Sequence, residues 1–128
     1  VNDELNDTTN VVNCIFANNV VQNQVLRSRN ANDFTIAATN CLFFGNTRTN
    51  GNPANNMQNN RPETGSIEAD PLLDANLVPG AGSPAIDAGV DPATVGVPLL
   101  TDYDGIARPQ GAGYDIGAFE FLVAPLAN

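Results

Sequence analysis

Residues 13–19 read Asn-Cys-Ile-Phe-Ala-Asn-Asn, and residues 40–46 read Asn-Cys-Leu-Phe-Phe-Gly-Asn. The two stretches begin 27 residues apart (40 − 13). A period of this size is typical of solenoid proteins, in which each pass of the chain buries its apolar face against the next pass. Apolar residues alternate within each stretch as they do in strands. The repeat therefore predicts an all-β fold, a parallel β-helix over residues 1–78.

In-register stacking of these two stretches aligns like residues with one another. Aligned rings and thiols are expected in the core, and an aligned amide side chain can bond to the amide of the next pass. The pairs are Cys14 with Cys41, Phe16 with Phe43, and Asn19 with Asn46.

Strand alternation also predicts which residues face inward. It places Val12 and Phe16 on the buried side of the first pass. Ile15, Leu42 and Phe44 then form an outward apolar stripe, suited to contact with another chain. The opposite parity, with these three residues inward, is the alternative.

Two cysteines permit one disulfide in an oxidising compartment. If Cys14 and Cys41 lie on adjacent parallel strands, their Cβ atoms are separated by about the strand spacing of 4.8 Å. A disulfide requires a Cβ separation of about 3.8 Å. Two free thiols in the core are therefore predicted, with the disulfide as the alternative. The chain has no His, which disfavours a metal site built on the cysteines.

The chain is acidic and its charge is uneven. Its 128 residues, enough for one domain, carry a net charge of −9, with neither Lys nor His. Residues 61–128 hold ten acidic residues against two arginines, a net of −8. This charge disfavours nucleic acid and anionic membrane surfaces as partners. No apolar run approaches the twenty or so residues of a membrane-spanning helix, so membrane insertion is not expected.

The second half of the chain contains three ordered motifs. Residues 82–89 read Gly-Ser-Pro-Ala-Ile-Asp-Ala-Gly, residues 102–109 Asp-Tyr-Asp-Gly-Ile-Ala-Arg-Pro, and residues 114–121 Tyr-Asp-Ile-Gly-Ala-Phe-Glu-Phe. With Ala-Asp-Pro-Leu at residues 69–72, this order resembles the C-terminal end of bacterial secreted right-handed parallel β-helix proteins. These proteins are pectate-lyase-like in shape and of the choice-of-anchor type.

The resemblance covers residues 10–121 and implies a right-handed β-helix and an extracellular or cell-surface location. It implies no single activity, because such proteins include presumed adhesins, surface proteins and polysaccharide-active enzymes. The expected organisation is two to three passes over residues 1–78, truncated at the N-terminus, followed by an irregular cap over 79–121 rich in Gly, Pro and Asp. Residues 122–128 form a tail, and a single helical turn is predicted at 92–95.

Asp102, Asp104 and the following glycine resemble the start of a calcium loop, which makes calcium the one cofactor considered. The twelfth position of such a loop is Gly113 rather than Glu. A second interpretation pairs Arg108 with Asp102 or Asp104 inside the cap, and this ion pair is the favoured prediction. In the third interpretation these residues are solvated turn residues.

No catalytic residues are identified. The chain offers no Ser-based triad, no Gly-rich phosphate loop and no convergent carboxylates in the strand region. Arg27, Arg29 and Arg48 could bind an anionic sugar, but solvated arginines are the simpler interpretation. Tyr103 and Tyr114 are expected in the cap rather than in a glycan site.

The sequence therefore favours a non-enzymatic extracellular β-helix module with a structural, adhesin-like or fibre- and surface-assembly role. The alternative is the C-terminal end piece of a polysaccharide lyase or glycosidase whose active site lies upstream. An uncapped first pass exposes unpaired strand groups. Residues 1–16 are thus expected to be covered by upstream passes or by another protein chain. Glycans are a further candidate partner.

Overall fold

The computed structural model describes residues 7–27, 34–57 and 62–123 of the chain. Strands account for the regular structure up to residue 68, and a single 3-10 turn follows at Pro92–Val95, where a helical turn was predicted. The strands, in chain order, are β1 (Asp7–Val12), β2 (Ile15–Ala17), β3 (Val20–Val21), β4 (Gln24–Leu26), β5 (Phe34–Thr39), β6 (Leu42–Phe44), β7 (Thr47–Arg48), β8 (Asn55–Met57), β9 (Glu63–Thr64) and β10 (Ile67–Glu68).

Every sheet pairs strands from successive passes of the chain, and all of the pairs are parallel. The first pass contains β1–β4, the second β5–β8 and the third β9 and β10. Strand order is β1-β5-β9 in one sheet and β2-β6-β10 in another, with β3-β7 and β4-β8 as two-stranded sheets. The predicted all-β class with stacked parallel strands is confirmed, and the arrangement is consistent with a parallel β-solenoid.

The register follows the sequence repeat. Phe16 pairs with Phe43, 27 residues along the chain (43 − 16). Between β4 and β8 the offset grows to 31, since Gln24 pairs with Asn55 (55 − 24). The four additional residues lie in the loop between β7 and β8, where the amide of Gly51 donates to the carbonyl of Arg48 at 2.8 Å. An Asn- and Gly-rich insertion is thus accommodated at a corner without disturbing the strands on either side.

Bends between strands occupy equivalent positions in each pass. Asn13, Asn40 and Gly65 separate the first two strands of their passes and have φ values of 51°, 48° and 66°. Asn and Gly are the residues that adopt this left-handed conformation at the lowest cost. The asparagines of the repeat therefore mark the corners of the coil.

These bends change the predicted side-chain parity. Val11, not Val12, packs against the inner core, and Ala38 is the buried residue one pass later. The prediction for Val12 was wrong because a left-handed residue between β1 and β2 resets the alternation that holds within one strand. Cys14 and Phe16 do face the inner core, as predicted.

The described residues form two apolar cores. The inner core lies between the sheets and contains the buried residues Ala38, Cys41, Phe43 and Met57. The outer core is formed where the C-terminal segment, residues 80–121, packs on the outside of β2, β6 and β10. Its buried members are Leu42, Ala85 and Ile116, with Ile15, Phe44 and Ile67 packed against them.

The outward apolar stripe predicted for Ile15, Leu42 and Phe44 is therefore not exposed. Leu42 is 0 % exposed, because Ala85 and Ile116 cover it. A strand has two faces, and here the second face is buried by the chain's own C-terminal segment rather than by another chain.

Backbone and amide contacts attach the C-terminal segment to the corners. Asn13 donates from Nδ2 to the carbonyl of Val90 at 2.7 Å and accepts from the Val90 amide at 2.9 Å. Asn40 donates to the carbonyl of Ala88 at 2.9 Å. As the C-terminal segment proceeds along the chain, it therefore contacts the corner of the second pass before the corner of the first pass.

The region between the last strand and the C-terminal segment differs from expectation. The predicted passes extend to residue 78, but Leu72 and Leu77 in that region are 47 % and 66 % exposed. The last strand ends at Glu68, and the proposed boundaries at residues 78 and 121 stay a prediction. Residues 1–6 and 124–128 lie outside the described residues. The covering expected for residues 1–16 therefore falls partly on residues that the structure does not describe.

Candidate functional site

Arg108 and Glu120 form a buried ion pair in the C-terminal segment. Arg108 Nη1 lies 2.7 Å from Glu120 Oε1, with both side chains almost fully shielded from water. The predicted partners, Asp102 and Asp104, were wrong. Motif spacing favoured the nearest acids, whereas the fold brings a residue twelve positions away against the guanidinium.

Arg108 makes two more hydrogen bonds, both to backbone carbonyls of the same segment. Nη2 donates to the carbonyl of Gly117 at 2.8 Å, and Nη1 also donates to the carbonyl of Asp115 at 3.3 Å. Nε has no acceptor among the described residues. Arg108 therefore connects three points of a segment that has no sheet of its own.

Asp115 and Glu120 both accept hydrogen bonds from backbone amides at each of their carboxylate oxygens. Asp115 is 0 % exposed and accepts from the amide of Asp87 at one oxygen and from the amide of Phe121 at the other. Glu120 accepts from the amide of Asp115 at Oε1 and from the amide of Gln110 at Oε2. Such bonds satisfy a buried negative charge and fix the loops that supply the amides.

Asp102 is the third carboxylate of this cluster. Its Oδ1 accepts from the amides of Asp104 and Ile106, both at 2.9 Å, and its Oδ2 accepts from the amide of Glu120 at 2.9 Å. Burial acts to raise its pKa, but the bonds from these three amides outweigh that effect and leave the pKa below its usual value. Asp102, Asp115, Glu120 and Arg108 are called the carboxylate cluster below.

The calcium-loop interpretation, the less favoured alternative to an ion pair, finds no support in this geometry. Asp104 is exposed, and both oxygens of Asp102 already accept backbone hydrogen bonds. In the described part of the chain, no group of three or more His, Cys, Asp or Glu side chains is placed to hold a metal ion.

The two cysteines are free thiols held side by side. Cys41 is 0 % exposed and Cys14 is half-buried. The neighbouring Cys41 side chain lowers the pKa of Cys14 to about 7, while Cys14 and burial raise the pKa of Cys41. The predicted free thiols are confirmed, and their unequal ionisation is a feature that sequence reasoning missed.

The predicted stacking of like residues between the first two passes is present for the phenylalanine pair and for the asparagine pair. The Phe16 and Phe43 rings stack with centroids 5.2 Å apart and planes inclined by 15°. Asn19 donates from its amide and from Nδ2 to Asn46 Oδ1, at 3.0 and 2.9 Å. Asn46 in turn donates to the carbonyl of Phe16 at 2.8 Å, so the amide ladder holds the strand that carries the ring.

A large apolar groove lies beside the first pass. Its volume is about 1140 Å³. Residues 10–17 line one side, and apolar residues of the C-terminal segment line the other, among them Val95, Leu99 and Phe119. Arg108 of the carboxylate cluster and Cys14 also border it. This groove is called the first-pass groove below.

The candidate sugar-binding residues are scattered. Arg27 is exposed, Arg48 lies in β7, and Arg29 falls outside the described residues. Tyr103 is 82 % exposed and packs edge-on against Phe119, with ring centroids 5.6 Å apart. Tyr114 is half-buried. The structure brings none of the described pairs among these residues into a common pocket.

Comparison of this chain with known proteins found no match. No family model, no curated protein and no solved structure matches this chain. Within residues 7–27, 34–57 and 62–123, the structure contains no helix long and apolar enough to span a membrane.

Proposed function

We propose that this chain is a non-enzymatic structural module of an extracellular right-handed parallel β-helix protein, with a role in adhesion or in fibre or surface assembly. The observation that carries the proposal is that every carboxylate of the carboxylate cluster is buried and is hydrogen-bonded within the chain at both oxygens. Both oxygens of Asp102, Asp115 and Glu120 accept hydrogen bonds from backbone amides or from Arg108. Carboxylates that are bonded in this way hold loops together, and burial shields them from a substrate: Asp102, Asp115 and Glu120 are 8 %, 0 % and 3 % exposed.

The attachment of the C-terminal segment supports the same role. It covers the outer face of β6 and bonds to the corner asparagines Asn13 and Asn40 of two passes. A segment fixed in this manner joins successive passes along the stacking direction, which suits a module that must resist separation of its passes. The resemblance of residues 82–89, 102–109 and 114–121 to the ends of secreted β-helix proteins is the basis for the extracellular location.

An activity assay tests the proposal against the enzymatic alternative. The purified chain is incubated with polyuronates and with neutral glycans, with calcium and with a chelator, and soluble products are measured. No product is expected under any of these conditions, and the melting temperature is expected to be the same in calcium and in chelator. Depolymerisation that co-purifies with the chain at constant specific activity would overturn the structural role.

A further inference from the structure

The first pass has an open edge. Among the described residues, β1 is hydrogen-bonded to β5 only and β2 to β6 only. The opposite edge of each strand presents N–H and C=O groups of the kind that an added strand pairs with.

Equivalent residues in the first two passes differ in exposure. Ala38, Cys41 and Phe43 of the second pass are 1 %, 0 % and 2 % exposed. Their counterparts in the first pass, Val11, Cys14 and Phe16, are half-buried. The second pass has a neighbour on each side, whereas the first pass has one, so a single additional pass would complete the burial.

The first-pass groove extends this apolar surface. Leu99 and Val97 on its far side are 49 % and 63 % exposed. Exposed apolar surface of this extent, beside an unpaired strand edge, is typical of an interaction site. An occupant would be contacted by the strand edge and by the C-terminal segment together.

The opposite end of the stack differs from the first pass by a charge at the stacking position. Glu68 pairs in register with Phe43, so the series Phe16, Phe43, Glu68 ends in a carboxylate. Asn56 Nδ2 donates to Glu68 Oε1 at 2.6 Å. A charge at the stacking position opposes the addition of another pass, because that pass would bury the charge. Head-to-tail stacking of two copies would bring Glu68 onto Phe16, so the end of a second copy does not fit the groove.

We propose that the first-pass groove binds an added β-strand from a partner that carries the Asn-Cys-x-Phe repeat. This strand pairs in parallel with β1 and β2 and stacks an apolar side chain on Phe16. The occupant is thus a further pass of the same type, continuing the 27-residue register seen between Phe16 and Phe43. The inference depends on the proposed structural function but is tested separately from it.

A peptide copying residues 10–26 serves as the probe. Binding of the fluorescein-labelled peptide to the full 128-residue chain is followed by fluorescence anisotropy. Saturable binding is expected, and a peptide with Glu at the position of Phe16 should bind at least about tenfold more weakly, since it repeats the charge of Glu68. A scrambled peptide is expected not to bind.

Two protein variants provide a matched comparison. Leu99 borders the groove and Leu100 does not, and both are exposed. Leu99→Glu should weaken peptide binding by about tenfold or more, whereas Leu100→Glu should leave it unchanged. Circular dichroism of both variants checks that the chain stays folded.

Three outcomes would overturn the inference. The first is no anisotropy change with the folded wild-type chain, and the second is equal binding of the Phe and Glu peptides. The third is concentration-dependent dimerisation that Leu99→Glu abolishes, which would make a second copy the occupant. None of these results bears on the polysaccharide assay, so failure here is distinguishable from failure of the structural role.

Discussion

Asn13 and Val90 lie 77 positions apart in the chain and are joined by a reciprocal pair of hydrogen bonds. Asn13 is the left-handed corner of the first pass, and Val90 belongs to the C-terminal segment. The amide of Gly117 also donates to the carbonyl of Asn13 at 2.8 Å. One corner residue thus sets a strand bend and anchors two points of the C-terminal segment. Disruption of that segment is therefore expected to destabilise the sheets as well.

Replacing Arg108 with Ala is expected to lower the free energy of unfolding by about 3–5 kcal/mol, because Glu120 would be left buried and without its cation. Urea denaturation measures the change. Arg27→Ala is the matched control, since Arg27 is exposed, and should alter stability by less than about 0.5 kcal/mol. If Arg108→Ala is neutral while chelation of calcium destabilises the protein, a metal site replaces the ion pair as the element that holds the segment.

Asp102→Asn is expected to lower the free energy of unfolding by about 1–3 kcal/mol at neutral pH. In the variant, the side-chain NH2 group would face a backbone N–H that donates to a carboxylate oxygen of Asp102 in the wild type. Asp104→Asn, at an exposed neighbour, should be close to neutral. Equal effects of the two substitutions would contradict the assigned role of Asp102.

The Asp102 contribution should also depend on pH. The folded pKa of Asp102 lies below the ordinary aspartate value of 3.8, so its contribution to stability is fully present above pH 3.8 and is lost as the pH falls through the folded pKa. The difference in unfolding free energy between wild type and Asp102→Asn should therefore narrow below about pH 3.8. A difference that is constant from pH 6 to pH 2, measured by urea titration, would show that ionisation of Asp102 is irrelevant to stability.

Cys14 is expected to react with iodoacetamide with a pH midpoint of about 7, because the Cys41 thiol stabilises its thiolate. Cys41 should stay unmodified in the folded protein, since it is 0 % exposed. Mass spectrometry of digested protein distinguishes the two sites. Cys41→Ala should raise the midpoint for Cys14, and an unchanged midpoint would exclude the Cys41 side chain as the cause of the low pKa of Cys14.

Gly45→Ala is expected to destabilise the protein by more than Gly51→Ala. Both glycines have positive φ, of 60° and 84°, so each substitution carries a conformational cost of about 1–2 kcal/mol. A Cβ on Gly45 would also meet the Asn18 side-chain oxygen, whereas a Cβ on Gly51 has open space. Thermal denaturation compares the variants. An equal loss of stability would indicate that the Asn18 side chain moves away from the added Cβ at no cost.

Local pattern and period were sufficient to predict the strand stacking. The Phe16–Phe43 stack, the Asn19–Asn46 ladder and the pairing of β2 with β6 all follow from a 27-residue repeat. Each pass contacts only the neighbouring passes, so residues at a constant separation along the chain come to lie on one another. The sequence spacing is therefore sufficient to predict which like residues stack. The burial of Cys41 and Phe43 was predictable for the same reason.

Side-chain parity across the corners was not predictable from alternation alone. Asn13 and Asn40 adopt left-handed conformations, which moves Val11 inward in place of Val12. Two-residue alternation holds within a strand and is interrupted by a bend. The asparagine itself was the available signal, because it is one of the few residues that accept this conformation.

The strand class, the 27-residue register and the residues that stack within it could be predicted from sequence, because they depend on neighbours at a constant separation along the chain. The pairing of Arg108 with Glu120 rather than Asp102, and the covering of Leu42 by Ala85 and Ile116, became apparent only from the three-dimensional packing. The C-terminal segment has no repeat and bonds through single contacts between distant residues. The partner of each charge and the cover of each apolar face there depend on the path of an irregular chain in three dimensions, which no local period encodes.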